Sequence, residues 1–542
     1  MKISLKSRIV SALAVTALAG TVVVGAPTAA NAAPQCATAS YITQCAGLGT
    51  DGAPYSMIAA ANFNGTVFIY SHGVRPAIDI PAALAPVGPY TKTNAAEPAP
   101  LAASDMSVIN TLVAAGYGVA GSGFSRQGIN TAEALAANKE LIATFKEKFP
   151  TTKTVIAWGQ SLGAMHAQML AEKNPELVDG VILACPAANP GNGLINYFGD
   201  SLWGMKALFD PTIKVGGYST DPATRVAEQY ANIGKVLTVL SKLSAGLVSG
   251  AWPDTSSPAG KALQAAGIPS RSALLTVGLM AGISTRSEHV DGTTGPTGQE
   301  ELYPLAIAPA VAVLENMTST ANYATMLLAD GELLTGGKVY DNTKTDYAAR
   351  VAADADIYSF ALSGNTAVAG IIGALAATPR ETADAAAVAK IDSIVGLSGK
   401  ITKPTIIFQA ETERFVPSSI VQWYIDSYAE QYAAAKMKAM TDAKKSRSYA
   451  APTNNLVVLW AKTAAKYSKF TDAGSPDLTA AVGAGTGHCN WTAAQWLAAA
   501  NLMTTTLANG KFPLGGKISS TARKVGLSYD NKFRVPLFKS LQ

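Results

Sequence analysis

Thr154-Val155-Ile156-Ala157-Trp158-Gly159-Gln160-Ser161-Leu162-Gly163 joins two different habits of chain. Its first half is β-branched and aromatic and reads as a strand. Met165 to Glu172, directly after it, has a helical pattern. A strand that turns this sharply into a helix must force the backbone at the turn. Glycines on both sides leave room for the turn and for close packing. The Ser161 hydroxyl then stands above the edge of a sheet. The amide of Leu162 faces the same space, aided by the positive end of the helix. Glycines around a serine also make ordinary turns, so the strand before and the helix after are what favour a nucleophile here.

A serine hydroxyl needs a base, and the chain offers four histidines. His166 lies on the same helix as Ser161 and should face away from it, as a packed residue. His289 falls among Ser287 and Glu288 in the middle of the chain, on a loop. His72 precedes the serine. His488, in Gly485-Thr486-Gly487-His488-Cys489, follows the serine in the order expected for this turn, serine then acid then histidine. His488 is therefore the expected base. The orienting acid should sit on the loop after the strand Thr405-Ile406-Ile407-Phe408. No aspartate occurs between Pro404 and Ile425, which leaves Glu411 and Glu413. Glu413 is favoured, with Glu411 its rival, to hold the imidazole tautomer and stabilise the imidazolium. Ser71-His72-Gly73-Val74, after the strand Thr66–Tyr70, offers a second oxyanion donor in the Val74 amide. Gly116-Tyr117-Gly118-Val119-Ala120-Gly121 has the spacing of a dinucleotide loop, but a helix precedes it where a strand is required. It reads as a helix cap and a strand, so neither cofactor nor metal is expected.

Outward from the turn, strands and helices alternate as in a parallel sheet covered by helices. Met106 to Ala115 reads as a helix closed by Gly116, Thr131 to Lys148 as a helix, and Val181 to Ala184 as a strand. From Pro186 to about Ile401 the pattern becomes helical stretches separated by Gly, Pro and Ser. Sheet rhythm resumes at Pro404, with a further strand expected over Leu478–Val482. The division is then a leader at 1–32, sheet residues 33–190, a helical cap at 191–400, and the rest of the sheet with a C-terminal tail at 401–542. An independent middle domain is the other reading of residues 191–400. Its aromatics, Trp203, Trp252, Tyr218, Tyr303, Tyr323 and Tyr347, suit substrate contact or plain core.

Of 542 residues, 48% are hydrophobic and 15% charged, against about 25% charged in ordinary soluble domains. Lys2, Lys6 and Arg8, an apolar run from Ile9 to Gly25 and Ala30-Asn31-Ala32 form a secretory leader, with the mature chain starting near Ala33. The apolar run is short for a membrane span, and stable membrane insertion is not expected. Without the three leader cations, 39 basic residues face 37 acidic ones. That balance gives no electrostatic reason to expect nucleic acid. Four cysteines in an exported chain suit two disulfides, and no C-x-x-C pair suggests zinc. Cys36 and Cys45 are close enough to close a small loop, which leaves Cys185 with Cys489. Thr492-Ala493-Ala494-Gln495 is a capping box that starts a helix just after His488, with Trp491 and Trp496 placed to pack the histidine loop.

These residues together, the turn at Ser161, His72-Gly73, Glu413 and Gly487-His488, resemble the α/β-hydrolase superfamily. The resemblance implies a mostly parallel eight-stranded sheet with the cap inserted after the sixth strand. It also implies acyl transfer to water through an acyl-serine. His488-Cys489 is similar to the His-Cys step of tannase and feruloyl-esterase proteins, in which a cysteine also precedes the serine. Gln160 stands there in this chain, and Cys185 is the partner the resemblance then implies for Cys489. The expectation is a secreted serine esterase acting on a small or polymeric ester. A secreted peptidase or amidase with the same triad, and an inactive binding protein on the same fold, are the competing readings. Oligomeric state is not readable from the sequence.

Overall fold

The computed structural model describes residues 33–84, 101–187, 193–446 and 448–533; the expected leader at 1–32 lies outside them. Nine strands form one sheet: β1 Gln35–Ala39, β2 Ile42–Leu48, β3 Pro54–Ala60, β4 Thr66–Ser71, β5 Gly118–Ser122, β6 Thr154–Gln160, β7 Gly180–Ala184, β8 Thr405–Ala410 and β9 Leu456–Ala461. Their spatial order is β1-β2-β3-β5-β4-β6-β7-β8-β9. The first three and the β3–β5 pair run antiparallel, and every pair from β5 to β9 is parallel. One strand more than expected is present because β1 and β2 fold as a hairpin. Cys36 faces Cys45 across it, and the two form a disulfide.

The central strands are apolar on both faces because helices cover both. Along β6, Val155 and Ala157 enter one core, while Ile156 and Trp158 enter the other. The first core is closed by α2 (Thr131–Lys148), α3 (Leu162–Lys173) and the start of a long helix at Ser418–Ser446. The second is closed by α1 (Met106–Ala114) and by two C-terminal helices, Ala493–Asn509 and Gly515–Arg523. Asp105 caps α1 by accepting from the Val108 N–H at 3.0 Å, and Gly116 (φ 86°) ends its turn.

Between β7 and β8 the chain leaves the sheet, and its described residues form nine further helices: α4 Gly193–Leu208, α5 Pro222–Gly246, α6 Pro258–Ala265, α7 Ser270–Ala281, α8 Leu302–Ala306, α9 Ala308–Thr335, α10 Tyr347–Ala352, α11 Gly364–Ala377 and α12 Ala385–Val395. The helices that follow β8 are then α13 Ser418–Ser446, α14 Ala493–Asn509 and α15 Gly515–Arg523. The insertion has a core of its own, to which the sheet domain adds only Ile129 among the buried residues. Inside it Asp200 is fully buried; it pairs with Arg350 at 2.7 Å and accepts from the Tyr340 and Tyr347 hydroxyls at 2.7 and 2.5 Å. Burial raises the Asp200 pKa and Arg350 opposes the rise. Trp203, Tyr303 and Tyr347 are buried in this core, and Trp252 is partly buried against it; Tyr218 is buried beside α5, where its hydroxyl accepts from Asn232 Nδ2 at 3.1 Å. No helix among the described residues is long and apolar enough to cross a membrane.

Leu478–Val482 is not a strand. The last strand among the described residues is β9, which ends at Ala461, and Leu478 and Val482 are 60% and 44% exposed. Two apolar residues separated by small ones hold no place beside β7 and β8, which are buried on both faces. The Leu456-Val457-Val458-Leu459-Trp460 run does, and it pairs with β8 along its whole length.

Phe124 lies between two imidazoles, its ring centroid 4.5 Å from His72 and 5.6 Å from His166. Burial holds the His72 pKa down to about 4 and that of His166 down to about 3, against an ordinary 6.5. Both rings are therefore neutral in the fold at pH 5, whereas an unfolded chain would protonate them. Their contribution to stability is complete above about pH 6.5 and is lost as pH falls toward the folded values. His166→Leu should flatten the fall in urea stability between pH 6.5 and 4.5 by about one proton, or about 1.4 kcal/mol per pH unit; an unchanged slope would refute this. Trp496 is 1% exposed and stands 4.8 Å from Trp158 and 5.3 Å from Phe408. Trp496→Ala should cost about 3–5 kcal/mol in a denaturant titration.

Candidate active site

Ser161 occupies the turn between β6 and α3 at φ 56°, ψ −126°. A side chain seldom adopts this backbone, so the surroundings must hold it there. Its N–H donates to Ala184 O at 2.9 Å, and its carbonyl accepts from the Ala164 and Ala187 N–H groups, both at 3.0 Å. The two flanking glycines have a steric reason. A Cβ on Gly163 would fall 2.5 Å from His72 O, and one on Gly159 would fall 2.7 Å from Ser71 O. The start of α3 thus lies directly on the end of β4.

The Ser71–Val74 turn is built against the same place. The Ser71 hydroxyl accepts from Asn138 Nδ2 at 2.8 Å. His72 Nδ1 stands 2.7 Å from Gly73 O, a carbonyl that only accepts, which fixes the proton on Nδ1. His72 is buried and serves this turn; His166 is fully buried beneath it. A Cβ on Gly73 would come within 3.3 Å of the Ser161 Cβ. Among the described residues neither the Leu162 nor the Val74 N–H has an acceptor.

After β8 the two candidate acids diverge. Glu411 accepts from the Thr463 N–H and hydroxyl, both at 2.8 Å, and lies 3.9 Å from Arg286. Glu413 is fully enclosed; its Oε2 is 2.8 Å from His488 Nδ1, and its Oε1 accepts from the Phe415 N–H at 2.8 Å. The geometry brings Glu413, not Glu411, to the imidazole. His488 reaches it from a loop in which Gly485 and Gly487 take φ 79° and 80°, and Thr412 N–H donates to Gly485 O at 3.0 Å. Phe415 packs edge-on against the imidazole at 4.9 Å. Cys489 is joined to Cys185 with Cα atoms 5.6 Å apart, and its sulfur lies 3.7 Å from His488 Nε2. Thr492 and Gln495 form the expected capping box at the start of α14, and Trp491 packs on Phe408 at 5.4 Å.

Ser161 and His488 face one cavity of about 170 Å³. The sheet domain supplies Gly73, Val74, Gln160 and Leu162 to its lining. The insertion supplies Ile195 and Phe198 from α4, Tyr323 and Leu327 from α9, and Val395 from α12. Of the six insertion aromatics singled out from the sequence, Tyr323 alone is among the lining residues. No Ser161–His488 hydrogen bond is formed among the described residues, as is common before substrate binds.

Residues 284–291 of the insertion, which no sequence motif marked, bind both loops. Glu288 pairs with Arg414 at 3.0 Å, and its carbonyl accepts from Gly483 N–H at 3.4 Å. Asp291 accepts from the Tyr467 and Ser468 N–H groups at 2.8 and 3.0 Å. Burial pushes the Asp291 pKa up, but backbone N–H groups outweigh it and hold the carboxyl well below its usual range. Tyr467 donates to Ser287 O at 2.7 Å. Glu288, His289 and Glu315 bring potential metal-ligating atoms within 4.8 Å of one another. Each already has a protein partner: Glu288 has Arg414, and His289 Nδ1 lies 2.8 Å from Glu315.

Comparison with known proteins agrees with the architecture. A family described as alpha/beta hydrolase fold matches residues 116–212. No curated protein matches the chain. Feruloyl esterase B from Aspergillus oryzae is similar in structure at 13% identity, over 88% of this chain and 83% of that one, with a TM-score of 0.40. Tannin acyl hydrolase from Aspergillus niger shares 10% identity over 89% and 83% of the two chains, with a TM-score of 0.33. A rice cell wall degrading esterase, LipA, from Xanthomonas oryzae shares 11% over 79% and 84%, with a TM-score of 0.31. The family match contains the β6–Ser161–α3 turn on which the parallel strands converge, and the chain has the alpha/beta hydrolase fold.

Proposed function

We propose that this protein is an exported serine hydrolase that cleaves carboxylic esters through an acyl-Ser161 intermediate. The observation that carries the reading is the enclosed Glu413 carboxylate, 2.8 Å from His488 Nδ1, on a cavity that Ser161 shares. A buried carboxylate there keeps the proton on Nδ1 and leaves Nε2 free as a base. Ser161 Oγ attacks the ester carbonyl as its proton passes to His488 Nε2. The Leu162 and Val74 N–H groups, which have no acceptor among the described residues, hold the resulting oxyanion. Collapse expels the alcohol, which takes the proton from His488. Water then attacks the acyl-serine, with His488 as base again, and releases the acid. A cavity of about 170 Å³ suits a small acyl group better than a length of polypeptide. The disulfides Cys36–Cys45 and Cys185–Cys489 support an oxidising compartment, as export requires.

Hydrolysis of p-nitrophenyl esters tests the reading. Ser161→Ala should abolish turnover, and Glu413→Gln should lower kcat by about 10⁴-fold. Glu411→Gln, which disturbs only the Thr463 and Arg286 contacts, should stay within about tenfold of wild type. Activity that survives in Ser161→Ala would refute the mechanism. Equal losses at Glu411 and Glu413 would refute the assigned acid.

A further inference from the structure

Granting Ser161 as nucleophile, we infer that the cavity selects an apolar acyl group of about four to eight carbons and discriminates against acyl groups that carry hydroxyls. Size is the first argument. An apolar cavity of about 150 Å³ stays dry and takes benzene, so the roughly 170 Å³ found here fits a group of about six carbons.

The distribution of polar atoms is the second. Gln160 adjoins Ser161 in the chain. Tyr323 packs edge-on against Phe415 at 4.8 Å, and Phe415 packs against His488 in the same manner at 4.9 Å. Gln160 therefore belongs to the ester end, where its buried Oε1 has no partner among the described residues, and Tyr323 stands two ring contacts from His488. The remaining walls include Ile129, Ile195, Phe198, Leu327 and Val395, none with a side-chain donor or acceptor. Backbone groups of Ile129, Phe198 and Leu327 are already engaged: Ile129 N–H donates to Asp330 at 2.7 Å, its carbonyl accepts from Arg126 at 2.6 Å, and Phe198 and Leu327 lie inside helices. A hydroxyl on the far part of an acyl group would lose its water and gain no side-chain partner from these five walls.

The third argument concerns where selectivity resides. The catalytic groups stand on the sheet domain, whereas four of those five apolar walls come from α4, α9 and α12. Acyl preference is thus a property of the insertion, separable from the chemistry beneath it.

The test starts with a small fluorophosphonate, which labels an activated serine whatever the acyl preference. Labelling of wild type but not of Ser161→Ala shows a competent nucleophile; absence of labelling in the folded wild type overturns both this inference and the mechanism under it. Turnover of p-nitrophenyl benzoate is then compared with that of p-nitrophenyl gallate, which has the same ring with three hydroxyls. Benzoate should be favoured in kcat/KM by about 100-fold or more. In a chain series, hexanoate should exceed both acetate and dodecanoate. Leu327→Trp, at a partly exposed wall position, should lower the hexanoate-to-acetate ratio by at least about tenfold. Equal or reversed use of benzoate and gallate, or an unmoved ratio in Leu327→Trp, with Ser161 labelled normally, would overturn the acyl assignment and leave the mechanism standing.

Discussion

The approach of α3 to the end of β4 is the constraint on which the site rests. Gly163 lies so near the carbonyls of Ser71 and His72 that no side chain fits between them. With the helix held there, the chain leaving β6 has one residue in which to turn, and Ser161 takes up the positive φ. That turn presents the Ser161 side chain and the Leu162 N–H to one space. It also brings the Gly73 backbone beside the serine, so that the Val74 N–H belongs to the same space. The cost of an unfavourable backbone at one residue is about 1–3 kcal/mol. Packing around β6 is large enough to bear it, because Trp158 and Ile156 on one face and Val155 and Ala157 on the other are buried.

The insertion is neither a free domain nor a mere lid. Its core closes on its own residues, as an independent domain's would. Yet residues 284–291 bind the loops that carry Glu413 and His488, through Glu288 with Arg414, Asp291 with the 467–468 backbone, and Tyr467 with Ser287. Glu288 is buried and its pKa is raised by that burial, with Arg414 opposing the rise. Such a pair is a poor source of stability but a good source of register, since either partner left alone would be an unmatched buried charge. The insertion thus sets both the walls of the cavity and the position of the loops beneath it.

Features governed by local chemistry were legible in the sequence. The Ser161 turn, the helix over Thr131–Lys148 and the capping box at Thr492 and Gln495 depend on neighbours within a few residues. Four cysteines allow three connectivities, and the pairing of Cys185 with Cys489 followed only from taking Cys36 and Cys45 as a local loop. The choice between Glu411 and Glu413 was not. Both lie on one loop two residues apart, and only the loop's course, pinned by Thr463 on one side and the Phe415 N–H on the other, separates them. The last strand was misplaced for a related reason. Sequence reasoning sought a strand just before His488, but the 462–487 segment takes many of its contacts from the insertion, and nothing local announces a partner nearly two hundred residues away.

That long segment raises the question of how an imidazole so far from a strand stays in place. A loop gains order only when contacts exceed the conformational entropy lost, about 1–2 kcal/mol per residue. His488 sits where restraints converge. Gly485 and Gly487 take backbone angles that other residues resist, and Thr412 fastens the loop to the acid's own loop. The disulfide to Cys185 ties it to the end of β7, and the capped helix α14 begins four residues beyond the disulfide's second cysteine. Glu413 then needs only to orient a ring whose backbone is already fixed. Because Ser161 N–H is itself bonded to Ala184 and Cys185 N–H to Phe408, Ser161, the disulfide and the strand that leads to Glu413 share one hydrogen-bonded edge. Relative positions of the three groups are therefore set by the sheet, although two of them stand on loops.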